Sequence, residues 1–408
     1  MGEESVFRTI SASAAPRFRA LFEDGLIDEL VRRGLFVESR LHEGGNGDGL
    51  VVSHRRIAPL SYPHEWPYTL LCSAALQLLD AARVATRFGR TLVDGHPWNV
   101  VIEPWTRSPV FVDLGSFWPI VGPDWLAEPE FLRFTLHPLG LMAAGQRALA
   151  RLLLAEDDGV GAENLRAFAR GLRSRPADGV GREQFVSLQV ATLDRLARRV
   201  ESLRGGAPER AGASRARSGA ELVEPALRWL DRFGSRRIVD LSATLELTAP
   251  ELARGGRQVV ALTRDENVAD RLVEAAEQES LPLLPLVIDP VRPTPARGVL
   301  DYWQMAATER LRADAVVAFG TVEAIVRDRR LTLDHAVEAL AQFAPRLAIV
   351  GSAGASAEAP GVDRARLRTV LARRFARIEE VPASSGAAPL LVAIEARPRS
   401  WDAGERPD

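Results

Sequence analysis

No lysine occurs among the 408 residues, so all 52 basic side chains are arginine. That absence excludes Schiff-base chemistry, the phosphate-cradling lysine of P-loop proteins and the phosphate-pairing strand lysine of phosphotransferases. A single cysteine, Cys72, rules out an intramolecular disulfide and a cysteine-cluster metal site. Apolar runs are short, each interrupted by Arg, Asp or Pro, and none reaches membrane-spanning length. The opening MGEESVFRTI has no basic region followed by an apolar one, so it does not read as a secretory leader. Charge excess is also missing: 52 basic against 54 acidic groups give a formal net charge of -2, no basis for a nucleic-acid surface. The expectation is a cytoplasmic protein with neither a membrane nor a nucleic-acid partner. His42, His54, His64, His96, His137 and His335 fall in no metal-ligand spacing, and no metal site is expected.

What is present is an ordinary globular composition, 46 % apolar and 26 % charged, at a length that suits two or three folding units. HEGGNGDG (His42–Gly49) reads as a turn, and LVVSHRRIA after it as a strand. Arg17 to Arg33 has an amphipathic helical pattern. So does the longer stretch from Tyr68 to Phe88, where Leu70, Leu71, Ala74, Leu78 and Ala81 recur at helical spacing. VVIE (Val100–Glu103) and PVFVDLG (Pro109–Gly115) form a hairpin pattern, and Leu126 to Leu203 is mainly helical. Arg204–Ala220 is rich in Gly, Ala, Ser and Arg without a large apolar residue, as a linker would be. Beyond it short apolar strands alternate with helical segments, the rhythm of an α/β unit with a largely parallel sheet. The expected organisation is residues 1–125, a helical segment 126–203, the linker 204–220 and an α/β domain over 221–400.

The segments IVDLS, VVALTRDENVADRLVEAA, LPLVIDPVRP and RADAVVAFGTVEAI resemble a class I S-adenosylmethionine-dependent methyltransferase. The resemblance covers about 170 residues and is nearest to large two-part bacterial members with a kinase-like fragment before the methyltransferase domain. It implies a Rossmann-like domain with S-adenosylmethionine as cofactor. Asp240, Ser242, Thr263, Asp265, Asp289 and Phe319 then fall at the cofactor-binding positions. Departures from the family pattern are specific. Its D-L-G-C-x-x-G loop reads here DLSATLE, so Ser242 and Glu246 replace the two glycines. Thr263 stands where the family has an acid for the ribose hydroxyls. Asp265, two residues on, and Asp289, at the position that faces the adenine edge, could equally cap helices. These departures lead us to expect weak or displaced cofactor binding, with no cofactor as the alternative.

In the first half, TLVDGHPWNVVIEPWTRSPVFVDLGSF places Asp94, Asn99 and Asp113 as in the catalytic and metal-binding segment of protein kinases and small-molecule phosphotransferases. The resemblance would give Asp94 the acceptor hydroxyl, and Asn99 and Asp113 a magnesium ion. With no glycine-rich clamp and no lysine, the segment is expected neither to bind nor to hydrolyse ATP. A scaffold that presents an acceptor is the expectation instead, with Trp66, Asp94, His96, Trp98, Asn99 and Asp113 as substrate-binding candidates. A rigid aromatic core would use the same tryptophans. His64 and Glu65, with Glu246 of the second half, are the acid–base candidates. One cleft shared by the two halves is expected, because a short first half with many aromatics would bury them poorly alone.

Three functions follow from these residues. One is a methyltransferase acting on a small-molecule or glycan biosynthetic intermediate, since methyl transfer needs in-line placement more than elaborate chemistry. Another is a non-catalytic partner or binding subunit, alongside a homologous chain or a second copy of this one. The third is a different reaction on the same fold, with Glu246 or His64 as acid or base.

Overall fold

A computed structural model describes residues 5–43, 49–156, 159–161, 184–205, 220–242, 248–301, 303–344, 346–351, 362–382 and 389–397. Two compact units divide the chain: Met1–Glu103 with Arg107–Glu209, and Arg210–Asp408 with Pro104–Thr106. The stretch 126–203 therefore belongs to the same unit as the residues before it, and the division falls within 204–220.

In the first unit β1 (Ser5–Ile10), β2 (Ser39–Glu43) and β3 (Leu50–Arg55) form an antiparallel sheet in the order β1-β3-β2. The amphipathic pattern over Arg17–Arg33 resolves into two helices, α1 (Ala15–Glu23) and α2 (Leu26–Arg32). Gly25 separates them at a φ of 79°, a conformation that stops the first helix and that a Cβ would disfavour. α3 (Tyr68–Arg87) is the central helix, with Leu70, Leu71, Leu78 and Leu79 at 1 % exposure or less. β4 (Arg90–Leu92) pairs with β7 (Phe117–Pro119), enclosing the hairpin of β5 (Val100–Ile102) and β6 (Pro109–Phe111). Among the described residues the helices that follow are α4 (Glu128–Phe131), then α5 (His137–Ala143) across a π-turn at Leu132–Leu136, α6 (Arg147–Ala155) and α7 (Phe185–Gly205). α7 packs on α3, where Arg83 Nη2 meets Asp194 Oδ1 at 2.7 Å.

The second unit is a seven-stranded sheet with helices. After α8 (Ala220–Arg232) come β8 (Arg237–Asp240), α9 (Thr248–Arg254), β9 (Gln258–Thr263), α10 (Glu266–Gln278) and β10 (Leu283–Val287). Then follow α11 (Ala307–Arg310), β11 (Ala315–Phe319), α12 (Thr321–Arg329), α13 (Leu333–Ala341), β12 (Leu347–Gly351), α14 (Arg364–Arg374), β13 (Phe375–Val381) and β14 (Leu390–Ala396). The strand order is β10-β9-β8-β11-β12-β14-β13, and β14 alone runs against the rest. Counted within the unit this is 3-2-1-4-5-7-6, a mixed α/β sheet that is mostly parallel. Every residue of β11 is buried, as a central parallel strand covered on both faces requires. β13 has no counterpart in the sequence pattern: FARIEEV lacks a continuous apolar run because it lies at the sheet edge.

Candidate functional site

Parallel α/β sheets bind ligands beyond the carboxyl ends of their strands, where the strand order reverses. Here that point lies at β8, with β9 and β10 on one side and β11 on the other. Asp240 ends β8 and is almost completely buried. Its Oδ1 accepts the Ser242 backbone N–H at 2.9 Å. Burial pushes its carboxyl up to about 6, against the lowering effect of bonds from the Ser242 hydroxyl and backbone N–H. The Ser242 Oγ also accepts the N–H of Phe319 at 2.9 Å, and Leu241 donates to Val317 O at 2.8 Å. The hydroxyl thus continues the β8–β11 ladder one step beyond the strand, a bond glycine at this position could not make. Thr321 Oγ1 donates to Leu241 O at 2.7 Å and closes the same corner. Phe319 itself is wholly buried, and its contribution at this edge is its backbone N–H. Glu246 lies outside the described residues.

Thr263 ends β9 at 2 % exposure, its Oγ1 accepting the Asp265 N–H at 3.0 Å. Asp265 is the N-cap of α10, with Oδ1 bonded to the N–H groups of Asn267 and Val268 at 2.9 and 3.2 Å. Asp289 follows β10. Its Oδ1 accepts the Val291 N–H at 3.0 Å, while Oδ2 is ion-paired to Arg329 and lies 3.5 Å from Arg264 Nε. Arg329 is the last residue of α12, whose first residue sits at the β8–β11 corner. Nine helical residues rise about 12 Å, and three strand spacings are about 14 Å. α12 therefore runs along the carboxyl edge of the sheet, from the end of β11 to that of β10.

These residues do not fit S-adenosylmethionine in the pose implied by the family resemblance. No acid ends β9 to accept the ribose hydroxyls, Asp265 is committed to a helix end, and the Asp289 carboxylate already carries two arginines. Nor is the position of Ser242 open as a glycine would leave it.

The first unit gathers its candidates around the β4–β7 loop system. Asp94 Oδ1 accepts the His96 N–H at 3.0 Å, His96 Nδ1 accepts the Trp98 N–H at 3.2 Å, and Asp113 Oδ1 accepts the Gly115 N–H at 2.9 Å. Ser116 staples the turns together, its Oγ accepting from Asp94 N at 3.1 Å. Val112 N donates to Asn99 O at 2.9 Å, so Asn99 lies beside the strand that leads into Asp113. Arg8 Nη1 approaches Asp113 Oδ1 at 3.4 Å. Gly95 is pressed on α4: a Cβ there would come within 2.5 Å of the Ala127 carbonyl oxygen. Its N–H donates to Glu130 Oε2 at 3.1 Å, and the Glu130 carboxyl also hydrogen-bonds Asp94. Burial first, then this second carboxyl, push Glu130 above the usual carboxylate range.

Aromatic rings continue the cluster. Trp98 lies 5.2 Å from the Tyr62 ring, 5.6 Å from His64 and 6.2 Å from His96, and His96 is 4.1 Å from Phe134. Trp66 and Glu65 stand apart from it as wholly buried residues. Trp66 Nε1 donates to Ser61 Oγ at 2.8 Å, and Glu65 Oε2 accepts the Tyr62 N–H at 2.9 Å in a capping box. Trp66, expected as a substrate contact, and Glu65, expected as an acid–base group, are thus both found buried. His64 is buried to 8 % exposure, with its ring stacked on Tyr62. Sequence reasoning passed over Glu130, Arg264 and Arg329. Arg264 was visible beside the missing acid, whereas Glu130 and Arg329 lie 36 and 40 positions from the aspartates they meet. Among the described residues no group of three His, Cys, Asp or Glu could hold a metal ion, and no helix is long and apolar enough to cross a membrane.

The second unit has a seven-stranded, mostly parallel sheet with the order given above. Known proteins add particular likenesses. No protein-family model matches the chain. Nodulation protein NoeA of Rhizobium meliloti (strain 1021) is 22 % identical, over 84 % of this chain and 80 % of that protein. Among solved structures, EvdMO1 is 21 % identical at a TM-score of 0.32, covering 43 % of this chain and 41 % of its own. Magnesium protoporphyrin IX methyltransferase (ChlM) from Synechocystis PCC 6803, solved with bound SAM, is 16 % identical at a TM-score of 0.31, covering 43 % of this chain and 79 % of its own. The bifunctional kinase-methyltransferase WbdD is 14 % identical at a TM-score of 0.31, covering 43 % and 38 %. The chain spans less than half the length of EvdMO1 and of WbdD.

Proposed function

We propose that this chain is a divergent methyltransferase-family protein that acts on a small-molecule or glycan biosynthetic intermediate and binds S-adenosylmethionine weakly. The observation that carries this reading is the 3-2-1-4-5-7-6 strand order with Asp240 buried at the switch point. In the first unit, Trp98, His96 and the turns of Asp94, Asn99 and Asp113 are the acceptor-binding candidates, on what would be a kinase-like scaffold. An aromatic ring beside hydrogen-bonding carboxyls suits a sugar or another small polar ring. Loss of one hydrogen bond to a charged group is worth about 1.5–3 kcal/mol, roughly 10- to 150-fold in affinity. The missing ribose acid alone is enough to weaken the cofactor by that factor.

A second reading, a non-catalytic methyltransferase-fold partner or binding subunit, is favoured by one specific feature: Asp289 and Asp265 are both engaged within the protein. Calorimetric titration with S-adenosylmethionine and S-adenosylhomocysteine, with mass spectrometry of ligands retained through purification, separates the two. Weak saturable binding is expected. A low-micromolar dissociation constant with the ribose held at Thr263 would overturn the weakened site, and absence of binding would leave the non-catalytic reading.

A further inference from the structure

We propose that the carboxyl edge of β9 and β10 binds a nucleotide whose ribose bears a phosphate, with Arg264 and Arg329 as its anion-binding pair. The inference goes beyond the methyltransferase reading and does not depend on it. It begins from the residue that ends the second strand. In dinucleotide-binding α/β folds an acid near this place accepts the ribose hydroxyls, whereas an arginine accommodates a ribose phosphate. This chain has Thr263, its hydroxyl turned to the Asp265 N–H, followed at once by Arg264 with its side chain 55 % exposed.

A second arginine is delivered from far along the sequence. α12 runs along the sheet edge and sets Arg329 on the same Asp289 oxygen that Arg264 approaches at 3.5 Å. The adjoining Asp328 is paired with Arg327 at 2.7 Å. Arg264, Arg327 and Arg329 thus stand beside the Asp289 and Asp328 carboxylates, while the Asp265 carboxylate is turned to the amides of α10. Each arginine meets Asp289 through one nitrogen of a group that carries five donors. A phosphate can take the remaining donors in the planar, forked geometry that guanidinium favours. A neutral diol makes no charge-assisted bond to these guanidinium groups and finds no carboxylate at Thr263.

The test is calorimetric titration of the full-length protein with adenosine, S-adenosylhomocysteine, adenosine 2′,5′-bisphosphate, adenosine 3′,5′-bisphosphate and inorganic phosphate. One bisphosphate is expected to bind at least ~10-fold more tightly than adenosine or S-adenosylhomocysteine, the gain of one charge-assisted contact. Added salt should weaken it. Arg264→Gln, at an exposed position, should remove most of that preference with an unchanged circular dichroism spectrum, and Arg329→Gln should act in the same direction. Equal or tighter binding of S-adenosylhomocysteine would overturn the proposal while leaving the methyltransferase reading in place. Inorganic phosphate as tight as the bisphosphates, an unchanged Arg264→Gln, or no binding of any probe would overturn it too, the last also favouring the non-catalytic reading.

Discussion

The aspartates of the Asp94–Asp113 loops and those along the Asp240–Asp289 sheet edge make the same first bond. Asp94, Asp113, Asp240, Asp265 and Asp289 each accept, through Oδ1, the backbone N–H two residues ahead, at 2.9–3.0 Å. What differs is everything else around the carboxyl. In the first unit Asp94 meets another carboxyl, Glu130, and Asp113 keeps 23 % of its side chain exposed beside Arg8. In the second, Asp240 is shut from water and bonded to Ser242, and Asp289 holds two arginines. The local turn is thus a common device, and the chemistry of each acid is set by what the fold brings to its remaining lone pairs.

The comparison can be broken most easily at its supports. Trp66→Ala should lose about 3–5 kcal/mol of stability in urea denaturation, as for a large aromatic removed from a core. A loss of substrate binding at unchanged stability would instead return Trp66 to the surface of a site. Asp240 should give the next largest effect, and it depends on pH. Its carboxyl is raised from 3.8 to about 6 in the folded chain. Below pH 4 both states are protonated and nothing is lost. As pH rises from about 4 to 6 the unfolded chain releases its proton first, so stability falls by roughly 3 kcal/mol and stays reduced above that window. Asp240→Asn should flatten this fall, whereas a variant with the wild-type pH profile would remove the buried acid from the account.

Ser242→Gly, which restores the residue of the methyltransferase pattern, should destabilise the second unit by about 1–3 kcal/mol, because the Phe319 N–H loses its acceptor. Tighter S-adenosylmethionine binding with no loss of stability would show that the hydroxyl is dispensable to the ladder. Asp265→Ala should lose about 0.5–2 kcal/mol through its helix cap. Thermal melts of this variant with and without S-adenosylhomocysteine would sharpen the contrast: an unchanged ligand shift is expected of a cap, and a lost shift would make Asp265 a ribose contact.

Much of the second unit was legible. Apolar strands such as AVVAF and VVALT suit the interior of a parallel sheet, and a turn-forming Asp ends β8 and follows β9 and β10. The hairpin and the Asp94 and Asp113 turns were legible because their bonds are local, spanning two residues in the turns and about a dozen in the hairpin. β1 and β13 were not, because edge strands mix polar with apolar residues and owe their conformation to a neighbour.

By itself the chain determined the features that act over a few residues: absence of lysine chemistry, alternation of strand and helix, the acids at strand ends, and Thr263 with Arg264 where the methyltransferase pattern has an acid. Tertiary structure alone decided how those acids are used. Ser242 reaches Phe319 across 77 residues, Arg329 reaches Asp289 across 40, and Glu130 reaches back to the Gly95 N–H across 35. Such pairings follow from strand order and helix direction, because a side chain's charge and proton affinity depend on the partners and the burial that packing supplies.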